Sequence, residues 1–362
     1  MDPDELEALG VYDPDAPGAA ERLTLVQLAL EHGAPIDDIR AAIGETRLHA
    51  LAAERLMLDR PSHLTLAEAA TKAEVTPDFA TRLWRALGFA LAADDATVCT
   101  DGDVDVLAFY RDVAMTAGPD AAISLARAVG ASLARTADAS VEVVRAGVEA
   151  PLRTAGGSNV DVARQLVDVT ATMVPRIYPM FEAVHRRHLV ESARRYSLWG
   201  ASPTEASTTE AVVGFADLVG YSSLNEQLST VELDALIDSF EQRTLDAVAR
   251  PGVRLVKVIG DEVMFAAGSA PDAVAVVGQL LDASGLPPLR IGLATGTVLA
   301  REGDLFGTVV NLAARLEALA EPGQALVDAE TARRLDPSSV EPRGWHPVAG
   351  FAAPVEVFAL RR

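Results

Sequence analysis

The sequence predicts two folds in one chain: an all-α first half, then an α+β second half of the ferredoxin-like kind. Three observations carry this. Apolar residues in 1–200 recur at helical spacing, with little strand-like alternation. Gly200-Ala201-Ser202-Pro203 through Ser207-Thr208-Thr209 is small, polar and proline-containing, the composition of a linker. Beyond it, short apolar runs alternate with helical patterns in the order β-α-β-β-α-β, with additions. The expected boundaries are 1–200, a linker at 201–210, and 211–362.

The elements follow in chain order. Leu23, Leu25, Val26, Leu28 and Leu30 mark a helix that ends at His32-Gly33. Pro35 and Asp37-Asp38 open a second. Leu48, Leu51, Leu56 and Leu58 line a third, stopped near Pro61. Thr65 is an N-cap with Glu68 three residues on, the spacing of a capping box. Pro77 sits where a first helical turn needs no N–H. Ala80, Leu83, Trp84 and Leu87 then form an apolar stripe that ends near Gly88. Longer amphipathic helices are expected over 103–117, 120–149 and 159–198. In the second half, 212–218 reads as a buried strand and 233–248 as a helix. Strands at 254–259 and 263–266 are joined by the tight turn Gly260-Asp261. A helix at 273–281, a strand at 289–297, a helix at 309–319 and strands at 325–327 and 355–360 complete the fold.

Composition narrows the function. Lys plus Arg is 31 and Asp plus Glu is 52, a net charge of −21. Such a surface repels phosphate backbones and anionic membranes, which argues against nucleic acid as a partner. The single cysteine, Cys99, has no internal partner, as in a reducing compartment. The acidic start Met1-Asp2-Pro3-Asp4-Glu5 does not resemble a secretory signal. No uncharged apolar run reaches the roughly 18 residues of a membrane span. A cytoplasmic protein with no membrane span is expected.

Several residues point to chemistry. Asp217 closes the apolar run Val212-Val213-Gly214-Phe215-Ala216, and Asp261 sits in the turn of Lys257-Val258-Ile259-Gly260-Asp261-Glu262. A ferredoxin-like sheet can bring both to one edge. Two hard carboxylates suit Mg²⁺ or Mn²⁺; taken singly, each reads more plainly as a turn residue. Lysine occurs only at Lys72 and Lys257, all other basic side chains being Arg. Lys257 lies among Leu255, Val256, Val258 and Ile259, where a snorkelling edge lysine is the plainer reading. Its rarity favours a need for a compact single ammonium. Asn311 and Arg315 are four apart and share a helix face, with Leu312, Leu316 and Leu319 left for the core.

Four segments together closely resemble class III nucleotidyl cyclases over 211–330. Phe215-Ala216-Asp217-Leu218-Val219-Gly220-Tyr221 is similar to the family's first metal segment. Lys257-Val258-Ile259-Gly260-Asp261 is similar to its base-reading and second-metal segment. Asp304-Leu305-Phe306-Gly307 and Val310-Asn311-Leu312-Ala313-Ala314-Arg315 resemble its base-reading loop and transition-state helix. The resemblance implies an adenylyl cyclase that uses two Mg²⁺ or Mn²⁺ ions per site. Asp217 and Asp261, with the carbonyl of Leu218, would hold the metals. Lys257 and Asp304 would read adenine, Asn311 would orient the ribose, and Arg315 would stabilise charge at the α-phosphate. The resemblance also implies a homodimer whose two sites are each built from both subunits. Gln324 departs from relatives that place a basic residue there, so the triphosphate clamp stays unassigned.

The first half resembles, less specifically, the helical regulatory half of some mycobacterial-type cyclases. That likeness implies autoinhibition, a response to acid and a fatty-acid ligand. Val184-His185-Arg186-Arg187-His188-Leu189 lies on the helix that feeds the linker. His185 and His188 share a face, and histidine titrates in the range of mild acidification. They are candidate regulatory residues; two ordinary surface histidines are the alternative. Residues 64–89 also read as a helix-turn-helix with Leu66, Ala69, Ala73, Val75, Leu83 and Leu87 as its core. The acidic chain favours a scaffold there over a DNA-binding surface.

Two other readings stand beside the cyclase. A diguanylate cyclase-like enzyme would carry Gly260-Asp261-Glu262 on a similar hairpin, but has no place for the Asn311/Arg315 helix. A nucleotide-sensing regulator would bind DNA through 64–89.

Overall fold

The computed structural model describes residues 1–58, 62–198 and 208–361. They form two compact units, Met1–His185 and Arg186–Arg362. No helix among the described residues is long and apolar enough to cross a membrane.

The first unit is built from helices, with one isolated β-bridge between Leu64 and Cys99 among the described residues. Its helices are α1 (Pro3–Ala8), α2 (Ala19–Glu31), α3 (Ile36–Gly44), α4 (Leu48–Met57), α5 (Leu66–Lys72), α6 (Pro77–Ala86), α7 (Asp101–Ala117), α8 (Pro119–Val144), α9 (Ala150–Thr154) and the part of α10 (Asn159–Leu198) up to His185, the rest of α10 belonging to the second unit. Capping boxes at Asp2/Glu5, Thr65/Glu68 and Thr100/Asp103 start α1, α5 and α7. Leu6, Val26, Ile39 and Leu51 centre one core, and Ala69, Leu83, Leu107 and Ala126 a second. In the 64–89 pair, Ala69, Ala73 and Leu83 are buried and Leu66, Val75 and Leu87 pack partly buried against them, as expected.

The helix expected over 120–149 ends at Val144 and continues as a π-helical turn, Arg145–Glu149, before α9. Pro151 explains the change. It has no N–H for the carbonyl of Gly147, so the regular ladder cannot run through. The expected stop near Pro61 lies outside the described residues.

The second unit is a mixed sheet with helices on both faces. Its elements are β1 (Thr208–Leu218), α11 (Tyr221–Asn225), α12 (Thr230–Val248), β2 (Val253–Ile259), β3 (Glu262–Ala267), α13 (Ala270–Leu281), β4 (Leu289–Arg301), β5 (Asp304–Phe306), α14 (Thr308–Leu319), β6 (Gln324–Asp328), α15 (Ala329–Arg333), β7 (Val340–His346) and β8 (Val355–Leu360). The strand order is β2-β3-β1-β4-β6-β8-β7, with β5 paired to β4. The segment β1-α12-β2-β3-α13-β4 is the ferredoxin-like unit the sequence predicts. Within the expected linker, 201–207 lies outside the described residues. Thr208, Thr209 and Glu210 already pair with Leu299, Val298 and Thr297 of β4. That pairing exists because β4 runs to Arg301 rather than ending near 297, turning back there into β5.

Strand alternation divides the sheet into two faces. Val212, Ala216, Phe265, Ile291 and Leu293 face a core shared with Phe240 of α12 and Val276 of α13. Val213, Phe215, Met264 and Ala294 face a second core with Ala313 of α14. Gly292 sets how closely α14 approaches. A Cβ there would lie 2.2 Å from the carbonyl oxygen of Ala313 and 2.2 Å from the amide nitrogen of Glu317. Only glycine lets the helix backbone rest directly on β4.

Candidate active site

The α14 face of the sheet collects the charged residues. Asp217 is the last residue but one of β1, opposite Glu262 on β3 and opposite Arg290 on β4. Residues directly opposed across strands share a face, so these three side chains project together. Asp261 follows Gly260 in the two-residue β2–β3 turn. Gly260 takes φ +65°, which glycine tolerates at the first turn position. The Leu218 N–H donates to the Asp261 carbonyl at 3.1 Å, tying the two aspartate segments together.

Arg290 is the cation of this group. Its Nη2 donates to Asp217 Oδ2 at 2.5 Å, and its Nε lies 3.2 Å from Glu317 Oε1. The hydrogen bond to Asp217 holds the guanidinium pKa up, against the opposing effect of burial. The acids around it are crowded. Burial, with Asp217 close by, raises the Asp261 pKa above the ordinary carboxylate range. Burial, then Asp217 and Asp261, does the same to Glu262. Glu317 is pushed up to about 7, by burial first and by Asp217 second. A divalent cation would relieve this crowding. Among the described residues no three or more His, Cys, Asp or Glu side chains form a metal cage. Two carboxylates at a strand end nevertheless fit Mg²⁺ or Mn²⁺, which bind through one or two carboxylates and fill the rest with water and phosphate oxygens.

Lys257 and Asp304 meet. Lys257 Nζ donates to Asp304 Oδ2 at 2.6 Å, and Asp304 Oδ1 accepts from the Leu305 N–H at 2.7 Å. A β-bulge makes this contact. Leu255 pairs with Phe265 and Lys257 with the next residue, Met264, leaving Val256 as the extra residue. Without the bulge, Lys257 would oppose Val263 and project to the other face. Bulges re-aim side chains in this way beside functional sites.

Asn311 and Arg315 are exposed on α14, one turn apart. The structure corrects the rest of that helix. Leu319 is 42% exposed, while Ala313, Leu316, Glu317 and Ala320 face inward. Of the expected stripe, Leu316 is buried and Leu312 packs partly buried against the core, while Leu319 alone turns outward, because the helix rests on Gly292 along the line from Ala313 to Glu317. Gln324 lies opposite Arg290 in the β4–β6 register, and its Oε1 accepts from the Glu321 N–H at 2.9 Å. His185 and His188 are both exposed on α10.

Sequence reasoning missed Arg290 and Glu317. Both left a trace. Arg290 is the one charged residue opening the apolar strand Leu289-Arg290-Ile291-Gly292-Leu293, and Glu317 stands four residues after Ala313 on an apolar face.

Comparisons with known proteins agree with this architecture. Residues 4–192 match the adenylate cyclase regulatory domain model, and residues 209–361 match the adenylate and guanylate cyclase catalytic domain model. An uncharacterized protein of Mycobacterium tuberculosis is 36% identical over 99% of this chain and 94% of its own length. An adenylate cyclase of Streptomyces coelicolor is 35% identical over 79% of this chain and 75% of its own. A pH-sensitive adenylate cyclase of Mycobacterium tuberculosis is 30% identical over 95% of this chain and 88% of its own. The chain belongs to the adenylate cyclases, phosphorus–oxygen lyases that join a helical regulatory domain to an adenylate and guanylate cyclase catalytic domain.

Proposed function

We propose that two copies of the chain convert ATP to 3′,5′-cyclic AMP and pyrophosphate at two shared sites. The observation that carries the choice of base is the Lys257–Asp304 pair at 2.6 Å. An ammonium donor beside a carboxylate acceptor fits adenine, whose N1 accepts and whose 6-amino group donates. Guanine presents the opposite pattern at both atoms.

In this reading, Asp217 and Asp261, with the carbonyl of Leu218, hold two Mg²⁺ or Mn²⁺ ions. When bound, the ions acidify the ribose 3′-hydroxyl and neutralise phosphate charge. Lys257 and Asp304 fix the adenine. Asn311 orients the ribose. Arg315 stabilises the charge that grows on the α-phosphate. The ribose 3′-hydroxyl gives up its proton to water, its oxygen bonds to the α-phosphorus as the bond from the α-phosphorus to the α,β-bridging oxygen breaks, and pyrophosphate leaves with that oxygen. Gln324 brings no charge to the phosphates; Arg290, beside Asp217, is a further cation for them besides Arg315. The metal pair of one subunit works with the base readers, Asn311 and Arg315 of the other.

Residues 1–200 regulate, 201–210 connect and 211–362 catalyse. Likeness to a pH-sensitive relative supports acid as the signal. His185 and His188, flanked by Arg186, Arg187 and Glu182, are its receivers on α10. A full-length His185→Ala/His188→Ala protein that keeps the whole wild-type acid response would remove them from that role.

The test of the activity is direct. The full chain is incubated with ATP or GTP and Mn²⁺, and the products are identified by mass. Cyclic AMP and pyrophosphate are expected from ATP, with GTP turned over at least about a hundredfold more slowly. Cyclic GMP or a cyclic dinucleotide as main product contradicts the reading.

A further inference from the structure

Arg290 stands between two carboxylates, and the proposed chemistry uses only one of them. Asp217, at 2.5 Å, is assigned to a metal. Glu317, 3.2 Å from the Arg290 Nε, is not assigned to anything. It is 6% exposed, on the inward side of α14. Its Oε1 and the Arg290 Nε are both buried and make no hydrogen bond, so the two meet as an ion pair alone. Asp328, the other buried carboxylate among the described residues, accepts from the Thr331 and Thr295 N–H groups and the Thr331 hydroxyl. It is a helix cap. Glu317 caps nothing.

A buried carboxylate without hydrogen bonds is costly, and an apolar residue would pack the same place at less expense. The fold nevertheless brings this carboxylate close. Arg290 and Gly292 are two apart on β4 and share its α14 face. The missing side chain at Gly292 lets the Glu317 backbone rest on the strand, beside Arg290.

We propose that Glu317 is a positioning residue for Arg290: it keeps the guanidinium aimed at the nucleotide phosphates when Asp217 is committed to a metal ion. The proposal rests on the two-metal ATP reading above. Arg290 neutralises Asp217 across 2.5 Å. A cation at Asp217 competes with the guanidinium for the same oxygens. Without a second anchor, Arg290 would either resist that cation or swing freely. Glu317 holds the Nε side, which leaves the two Nη groups facing the phosphate end of the site. One helix thereby serves two sites. Its outward face carries Asn311 and Arg315, and its inward face carries Glu317.

The experiment compares full-length Glu317→Gln with wild type. Binding of inorganic pyrophosphate with Mn²⁺ is measured by calorimetry, and KM and kcat are measured for ATP. The proposal expects the pyrophosphate Kd and the KM to rise about tenfold, in the range that outer-shell partners contribute. It expects kcat at saturation to fall less than about threefold, the signature of lost ground-state and transition-state binding together. An unchanged pyrophosphate Kd overturns the proposal, as does a fall in kcat alone. Should the Gln variant not fold, Glu317→Asp takes its place. That variant keeps the charge but withdraws it by one methylene, and the same rise in Kd supports the proposal while an unchanged Kd overturns it. The functional reading fails separately. It fails if wild type makes no cyclic AMP, whereas the role of Glu317 is decided by the ratio of pyrophosphate affinities.

Discussion

Lys257 Nζ donates to Asp304 Oδ2 at 2.6 Å, across 47 residues of sequence. Both side chains remain partly exposed, at 39% and 28%. The pair is therefore reachable by a ligand, and each group loses little when it turns to an adenine edge. Changing Lys257 to Glu and Asp304 to Cys should cut ATP turnover by about a hundredfold or more and raise the GTP share of product. Nucleotide competition, read by product mass, checks this. An unchanged preference for ATP would show that the pair does not read the base.

Gly292 is expected to tolerate no side chain. Gly292→Ala puts a carbon 2.2 Å from two backbone atoms of α14, and backbone cannot rotate away. The helix must lift from β4, at a cost of about 1–3 kcal/mol or more. Activity should fall with it, because the same helix carries Asn311 and Arg315. Chemical denaturation with a cyclase assay measures both. A variant of wild-type stability would mean that α14 does not rest on the strand there.

The acid cluster sets the pH dependence of the metal-free protein. Burial, and then Asp217, raises Glu317 from 4.5 to about 7, and Asp261 and Glu262 shift in the same direction. Between those values the folded chain holds protons that the unfolded chain has released. For Glu317, stability is therefore fullest below about 4.5 and is lost as pH rises through about 7, and Asp261 and Glu262 add in the same sense. Glu317 contributes on the order of 3 kcal/mol to that loss at about 1.4 kcal/mol per unit. Melting temperatures in EDTA should drop between pH 5 and 7.5, and Glu317→Gln should flatten the drop. An identical slope in the variant would place the titrating group elsewhere.

Much of this was legible in the sequence. Capping boxes and apolar stripes located the helices, and the β-α-β-β-α-β order gave the ferredoxin-like core. Asp217 and Asp261 stood out as carboxylates at a strand end and in a turn, Lys257 through the rarity of lysine, and Asp304 through the resemblance of its segment to a cyclase base-reading loop. What escaped was set by tertiary geometry. The bulge at Val256 depends on register with β3, which no local pattern encodes. Arg290 draws its meaning from Asp217, opposite it on another strand. The face that α14 buries is fixed by contact at Gly292, which is why Glu317 lies inside and Leu319 outside. Pro151 did carry a local signal, and it breaks α8 as its missing N–H requires.

The central claim is that each catalytic site is built from two chains, with Asp217 from one and Arg315 from the other. Full-length Asp217→Ala and Arg315→Ala proteins should each be nearly inactive. Mixed in equal amounts and allowed to exchange subunits, they should recover cyclic AMP synthesis. Half of the dimers are then mixed and each rebuilds one intact site of two, so recovery should approach about a quarter of wild type. Demonstrated mixed dimers that make no cyclic AMP would contradict the shared site.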